Sequence, residues 1–252
     1  MEKLSVVIIT FNEGEHLSKC LDSVKAVADE VLVLDSFSTD RTQEICIEAG
    51  VRFYEHTFDG YVSQKNRAME MASHNLILSL DGDEALSEEA SLEILKLKEN
   101  PLADGYVFNR RNNYCGKWMR YTSLYPDRKL RLFDPRLAKW TGHDPHDRIE
   151  MPNGANICRI QGDILHWVIS DRADHLRKID NFSTVAAEAY FSKGIKKGLL
   201  ARYSHSLWRL LVEFIFRGGL MEGRLGWQFS FLSAKYVYLK YKKLSDHYAK
   251  GN

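Results

Sequence analysis

The chain has 252 residues, a formal net charge of +1 at neutral pH and 44 % hydrophobic residues. That length suits one large α/β domain, or one domain with an extension, and the charge balance argues against a dedicated nucleic-acid binder. The balance is uneven: from Ser192 to the end twelve Lys or Arg face three acids, so this tail carries +9 and the remainder −8, and a basic, aromatic-rich tail suggests an anionic partner such as a membrane face.

Leu4 to Thr10 is almost wholly apolar and rich in β-branched residues, as a central strand is. Phe11 to Glu15 reads as a loop, and Leu17, Cys20, Leu21 and Val24 then repeat at helical spacing. Glu30 to Leu34 is the second predicted strand, ending at Asp35. Asp40 and Gln43 have capping-box spacing, which starts a helix that Gly50 ends. A short strand over Val51–Tyr54 leads to a helix over Tyr61–Ser73, with Val62, Ala68, Met69 and Ala72 on its inner side. Leu76 to Leu80 is the fourth strand, and Ser87-Glu88-Glu89 opens another helix. Alternating strands and helices joined by short loops imply βαβ units and a mostly parallel sheet.

The fourth strand stops at Asp81-Gly82-Asp83. In an open α/β sheet, ligands bind beyond the carboxyl ends of the strands. Two adjacent carboxylates repel, so a cation belongs there, and Mg²⁺ or Mn²⁺ takes oxygen ligands and bridges to phosphates. An acidic turn before a helix is the competing reading, and Glu84 fits a helix start better than a ligand. Glu13, Asp35 and the Asp81/Asp83 pair follow three separate strands. If these strands are parallel, all the acids converge on one sheet edge. Neither GxGxxG nor GxxxxGK[ST] occurs, so a bound nucleotide needs a metal to balance its diphosphate.

After Pro101 the texture changes. Gly105–Arg110 reads as a strand, Asn112–Pro126 as a polar and aromatic loop over the site, and Arg128–Phe133 as a basic-edged strand. His143, Asp144, His146, Asp147 and Arg148 crowd a segment too polar for a core, and Gly162–Trp167 is a late strand carrying His166. Helices dominate from Ala173. Two amphipathic patches lie there, one around Leu207–Ile215 and one from Trp227 to Tyr241. Packing on the main domain and docking on a membrane are equally open readings of them.

The four cysteines match no zinc or redox spacing, which points to a reduced, cytoplasmic compartment. Neither a signal peptide nor a run of ~20 apolar residues is expected. The predicted division is a catalytic region over 1–172, with a nucleotide half to about 100 and an acceptor half beyond, then a helical extension over 173–252.

Three blocks carry a resemblance: Val6–Glu13, Val31–Ser36 with Ser38–Thr42, and Leu78–Glu84. In this order and spacing the chain resembles the family 2 glycosyltransferases. Gln64-Lys65-Asn66, Arg131-Leu132-Phe133, His146-Asp147 and Leu165-His166 look like the small bacterial enzymes that add a β-glucosyl-type residue to the lipopolysaccharide inner core. The resemblance implies a glycosyltransferase A-type fold, a nucleotide-diphospho-sugar donor, a divalent metal and inversion at the anomeric carbon. It implies that Thr10, Phe11, Asn12 and Glu13 line the nucleoside pocket, with Ser36 and Gly82 beside it, and that Asp35 accepts the uracil N–H. It puts Asp81 near ribose and metal, Asp83 and His166 on the metal, and Lys65 by the donor. The subgroup usually has His-Glu where this chain has His146-Asp147, and Asp144 adds a second acid, so the base lies between Asp147 and Asp144. Q-x-x-R-W, the mark of processive synthases, is absent, which implies one sugar per binding event.

An inverting transfer then needs Asp147 or Asp144 as base on the acceptor hydroxyl, with the metal on Asp83 serving the leaving diphosphate. Lys65, Arg128 or Arg131 can share that work. The expected partners are a UDP-hexose and a lipid-linked or lipopolysaccharide-core acceptor at the inner face of the cytoplasmic membrane. A sugar-phosphate nucleotidyltransferase and a non-catalytic nucleotide-sugar-binding protein at the membrane are the alternatives. A phosphatase is disfavoured, since its D-x-D normally ends the first strand.

Overall fold

The computed structural model describes residues 1–142 and 147–250, without the side chain of Lys250. Its strands are β1 (Leu4–Thr10), β2 (Glu30–Asp35), β3 (Arg52–Glu55), β4 (Leu76–Asp81), β5 (Glu84–Leu86), β6 (Gly105–Tyr114), β7 (Lys117–Trp118), β8 (Asp127–Phe133), β9 (Lys139–Thr141), β10 (Arg148–Glu150) and β11 (Ile157–Ile169). Its helices are α1 (Leu17–Val24), α2 (Thr42–Ala49), α3 (Tyr61–Glu70), α4 (Glu88–Glu99), α5 (Arg172–Ser192), α6 (Leu199–Leu211) and α7 (Arg224–Lys250). Two compact units share the chain: Met1–Arg110 with Arg128–Trp167, and Arg111–Asp127 with Val168–Asn252.

In the first unit β2, β1 and β4 run parallel, with β3 parallel to β2 on the outside. The sheet continues in the order β3-β2-β1-β4-β8-β6-β11-β5, with β8 antiparallel to β4 and β5 antiparallel to β11. The inner strands are apolar on both faces because both faces are covered. Val6 and Ile8 of β1 pack with α1, α2 and α4 residues such as Leu17, Cys46 and Ile94. The alternate residue Val7 packs with Leu34, Ile77, Phe133 and Ala68 of α3. This two-sided burial makes the strands near-continuous hydrophobic runs.

Local chemistry sets the ends. Ser87 caps α4 by accepting the amide of Ala90 at 3.2 Å. The expected Asp40/Gln43 capping box does not form. Asp40 instead accepts the amide and hydroxyl of Thr42, at 3.0 and 2.6 Å, and the amide of Gly14 at 2.8 Å. It thereby ties the loop after β1 to the start of α2. The inner side of α3 also departs from expectation: beside Ala68 it buries Gln64 and Lys65, two polar residues that apolar periodicity does not flag.

In the second unit, Asn112–Pro126 is not the plain loop its composition suggested. It contains the end of β6, β7 and a 3₁₀ turn over Thr122–Leu124. Its backbone is held by two buried acids: Glu222 accepts the amides of Arg120 and Tyr121, at 2.6 and 2.9 Å, and Glu213 that of Ser123 at 2.8 Å. Asp171 caps α5 through the amide of Asp174 at 2.7 Å. Between α6 and α7 the chain makes a π-helical turn (Val212–Phe216) and a 3₁₀ turn (Gly219–Glu222). A Cβ on Gly226 would lie 1.9 Å from the Gly219 carbonyl oxygen, so glycine alone permits this crossing. Among the described residues no helix is long and apolar enough to cross a membrane, and all four cysteines are free.

Candidate functional site

Parallel pairing aligns Thr10 with Asp35 and Ile9 with Asp81, so three strands end side by side. The acids after these strands meet there. A cleft of about 630 Å³ opens at this edge, lined by Thr10, Phe11, Glu13, Ser36, Asp81, Gly82, Asp83 and His166 among others. Phe11, Phe37, Phe58 and Tyr61 also line it, and each is exposed despite its size. The Phe58 and Tyr61 rings meet edge to face, with centroids 5.0 Å apart. An aromatic wall leading to carboxylates suits a flat base on one side and a charged group on the other.

Each side chain has a local cause. Asp35 is buried and already bonded: Thr10 Oγ1 donates to it at 2.8 Å, and the Ser38 amide and hydroxyl each at 2.6 Å. It fixes the turn after β2, while its neighbours Ser36 and Phe37 face the cleft. Phe37 and Asn12 both have positive φ, near 60°. For Asn12 the loop compensates: Thr39 N–H donates to its Oδ1 at 2.8 Å and its own amide donates to Ser38 Oγ at 2.7 Å. Gly82 packs against Thr10 and Glu13: a Cβ there would lie 2.8 Å from Thr10 Cγ2 and 3.0 Å from Glu13 Cγ. The middle residue of Asp-Gly-Asp is therefore glycine for want of room.

Behind the cleft lies a cluster of three cations and three carboxylates. Lys65, buried on α3, places Nζ 2.9 Å from Asp81 Oδ1 and 2.8 Å from Asp147 Oδ2. Arg131 Nη2 donates to Asp81 Oδ2 at 2.9 Å and to Glu84 Oε1 at 2.8 Å, and Arg110 Nη1 donates to the same Glu84 oxygen at 3.0 Å. Burial pushes the Asp81 carboxyl up, but the charges of Lys65 and Arg131 outweigh it and hold the group far below the usual carboxylate range. Burial likewise opposes the charge of Arg131, and Glu84 and Asp81 more than offset it, raising its pKa. Trp140 of β9 roofs the cluster, its ring centroid 4.4 Å from Lys65 Nζ and 5.5 Å from the Arg131 guanidinium. Asn66 holds Trp140 by both backbone groups, at 3.0 and 3.1 Å.

Asp83 stands apart from these cations. Its Oδ2 lies 3.2 Å from His166 Nε2, and its carbonyl accepts the Trp167 amide at 3.1 Å. The Trp167 ring stacks on His16, centroids 5.0 Å apart. The Asp83 carboxylate suits a hard cation such as Mn²⁺ or Mg²⁺, and the adjoining imidazole suits a transition metal better than Mg²⁺, so of these two the pair fits Mn²⁺ better. Among the described residues no three His, Cys, Asp or Glu side chains are arranged to hold a metal ion. Asp81, expected as the third ligand, is instead neutralised by Lys65 and Arg131.

Asp147 joins the cluster from the end of the β9–β10 hairpin, where Thr141 pairs with Arg148. Asp144, the other candidate base, lies outside the described residues. Arg128 is exposed on β8 and stands outside the cluster. Glu84 corrects the sequence reading: it opens no helix but sits in β5, fully buried between Arg110 and Arg131. A carboxylate in a buried strand needs a cation, but three residues are too few for this strand to be read from its sequence. Nothing local marked Trp140 or Arg110.

Residues 5–153 match the family described as Glycosyl transferase family 2. A glycosyltransferase of Rickettsia prowazekii (strain Madrid E) is 27 % identical over 98 % of this chain and 88 % of its own length. The lipopolysaccharide core biosynthesis glycosyltransferase LpsC of Rhizobium meliloti (strain 1021) is 27 % identical over 94 % of this chain and 93 % of its own. Among solved structures, S. aureus TarS (residues 1–349, in complex with UDP) aligns over 99 % of this chain and 92 % of that one, with 14 % identity and a TM-score of 0.49.

Proposed function

The chain belongs to glycosyl transferase family 2, and from that premise we propose that it transfers one hexose, with inversion, from a UDP-sugar to a hydroxyl of a lipopolysaccharide-core or other lipid-linked saccharide. It is a glycosyltransferase with a glycosyltransferase A-type sheet, which removes the nucleotidyltransferase and binding-only alternatives. The observation that carries the finer reading is the cleft itself. Its aromatic rim and its Asp83–His166 end lie together at the carboxyl edge of β1, β2 and β4. The acceptor class rests on the similarity to LpsC across nearly the whole of both chains.

In this reading the uracil lies along Phe11, Phe37 and the Phe58–Tyr61 pair, and Thr10, Asn12, Glu13 and Ser36 shape the nucleoside end. Asp83 and His166 would hold a divalent cation, which supplies Lewis-acid neutralisation of the leaving diphosphate. Arg131 keeps Nε and Nη1 without a hydrogen-bond partner among the described residues although it is buried. Such donors demand an acceptor, and a phosphate oxygen meets that demand. Asp147 takes the proton of the acceptor hydroxyl as its oxygen attacks the anomeric carbon and the bond to UDP breaks. Lys65 orients Asp147 and joins it to the Asp81 side of the site. Catalysis is assigned to residues 1–172, with 173–252 as a helical extension that brings the enzyme to a membrane-held acceptor.

The test is a panel of nucleotide sugars with Mn²⁺ or Mg²⁺. The true donor should raise the melting temperature most, since a ligand at 100 times its Kd stabilises by about 2.7 kcal/mol. Slow UDP release should accompany it, and Asp83→Ala should abolish that release. If no UDP-sugar shifts the melting temperature with either metal, the donor reading is wrong.

A further inference from the structure

The second unit carries a surface that its own packing leaves uncovered. Helix α6 has no buried residue. Leu200, Tyr203 and Leu207 share one of its faces at helical spacing, flanked by Leu199 and Trp208, and all five are exposed. The apolar surface continues past the helix through Ile215, Phe216, Leu220 and Met221, with Leu200 84 %, Phe216 69 % and Met221 68 % exposed. One ring contact joins the helix to the turn beyond it: Trp208 meets Phe216, centroids 5.8 Å apart.

This surface is held outward by construction. Glu213 is buried and paired with Arg209 and Arg217, at 3.1 and 3.4 Å. Glu222 is buried against Lys117 at 2.6 Å. The Gly219–Gly226 crossing fixes the turn between them. Three ion pairs from half-exposed cations to two buried acids, together with a close glycine contact, thus present Phe216, Leu220 and Met221 to solvent on one knuckle. Burying both acids leaves the segment from Lys193 to Ser245 without an exposed acid; Asp171, Asp180 and Glu188, exposed acids of this unit, lie at or on α5. From Lys193 to Ser245 the sequence contains no other acid, and Lys193, Lys196, Lys197, Arg217, Arg224 and Lys235 are exposed.

We propose that this face docks on an anionic lipid bilayer: the knuckle and the apolar face of α6 enter the acyl boundary while the flanking Lys and Arg meet the headgroups. A second copy of the chain is disfavoured as the occupant, because two such faces would bring like charges together without a counter-charge. The inference deepens the lipid-linked-acceptor reading and rests on it for its biological purpose; its observations belong to the second unit alone.

The experiment is vesicle flotation of the full chain without nucleotide sugar, comparing phosphatidylcholine vesicles with vesicles containing one quarter phosphatidylglycerol. The wild type should bind the anionic vesicles at least ten-fold more tightly, and less tightly as salt rises. The combined change Leu200→Glu, Phe216→Glu, Met221→Glu should reduce that binding at least ten-fold while keeping the donor-induced melting shift. Should that variant lose its circular dichroism, Leu200→Glu alone, at the most exposed position, decides. Unchanged vesicle binding by the variant overturns the proposal. So does a wild type that ignores anionic vesicles, whether it sediments as monomer or as a dimer that the variant dissociates. Vesicle binding by a chain that binds no UDP-sugar would leave this surface standing and sink the donor reading instead.

Discussion

Lys65 and Asp147 come from positions 82 residues apart and meet at 2.8 Å. If Asp147 is the base, Asp147→Asn should lower kcat by about 10²–10⁴-fold, the usual contribution of such a group. The donor-induced melting shift should stay intact, and acceptor-dependent UDP release measures the loss. Equal losses of turnover and donor binding would move the base elsewhere, Asp144 being the alternative. Lys65→Met should behave differently, because it strips a buried partner from both Asp81 and Asp147. Removing one member of a buried ion pair typically destabilises by about 3–5 kcal/mol, so this variant should show its defect in the melting temperature. The place of Asp81 and Asp83 at a strand end could be read from the sequence because they end an apolar run abruptly; the pairing of Asp81 with Lys65 and Arg131 could not. Glu84 was misread and Arg110 missed because their meaning lies in each other, 26 residues apart along the chain. A pairing at that range leaves no local pattern.

The element that makes the site is the tight junction of β4 and β5. Its glycine packs against Thr10 at the end of β1 and Glu13 of the loop that follows, so strand end and loops form one wall. Gly82→Ala should push this wall apart. The expected result is a loss of about 1–3 kcal/mol of stability, the usual cost of overpacking, with a weakened donor-induced shift, both read by thermal denaturation. Unchanged donor binding would show that the loops adjust independently. The main strands were legible because burial on both faces writes an unbroken apolar run into each. β5 was not, since three residues are too few to show a period. Asn112–Pro126 misled for the opposite reason: its polar groups look solvent-bound, yet their partners are Glu213 and Glu222, about a hundred residues later.

At the scale of the molecule, the two units should respond to acid in sequence. Burial holds His175 neutral, with its pKa pushed down to about 4; Asp174 opposes this and Lys178 reinforces it. As pH falls from about 6.5 to 4 the unfolded chain takes the proton first, so the α5 region loses stability across that window. Glu30 of β2 loses part of its hydration to burial, which raises its pKa. Ser5, Ser73 and Arg52 overcome this and lower it to about 2. Its contribution is complete above about 4.5 and disappears as pH falls toward 2. Each shift corresponds to roughly 3 kcal/mol. Hydrogen exchange should therefore show α5 opening near pH 5 while β1 and β2 remain protected, and the reverse order would refute these assignments. The uneven distribution of charge along the chain has a further consequence for handling the protein. With a net charge of only +1, repulsion between copies is weak, and the cation-rich tail of one molecule attracts the acid-rich remainder of another. Moderate salt shortens the reach of that attraction to about 8 Å. The protein should therefore salt in, dissolving better in buffered saline than in dilute buffer.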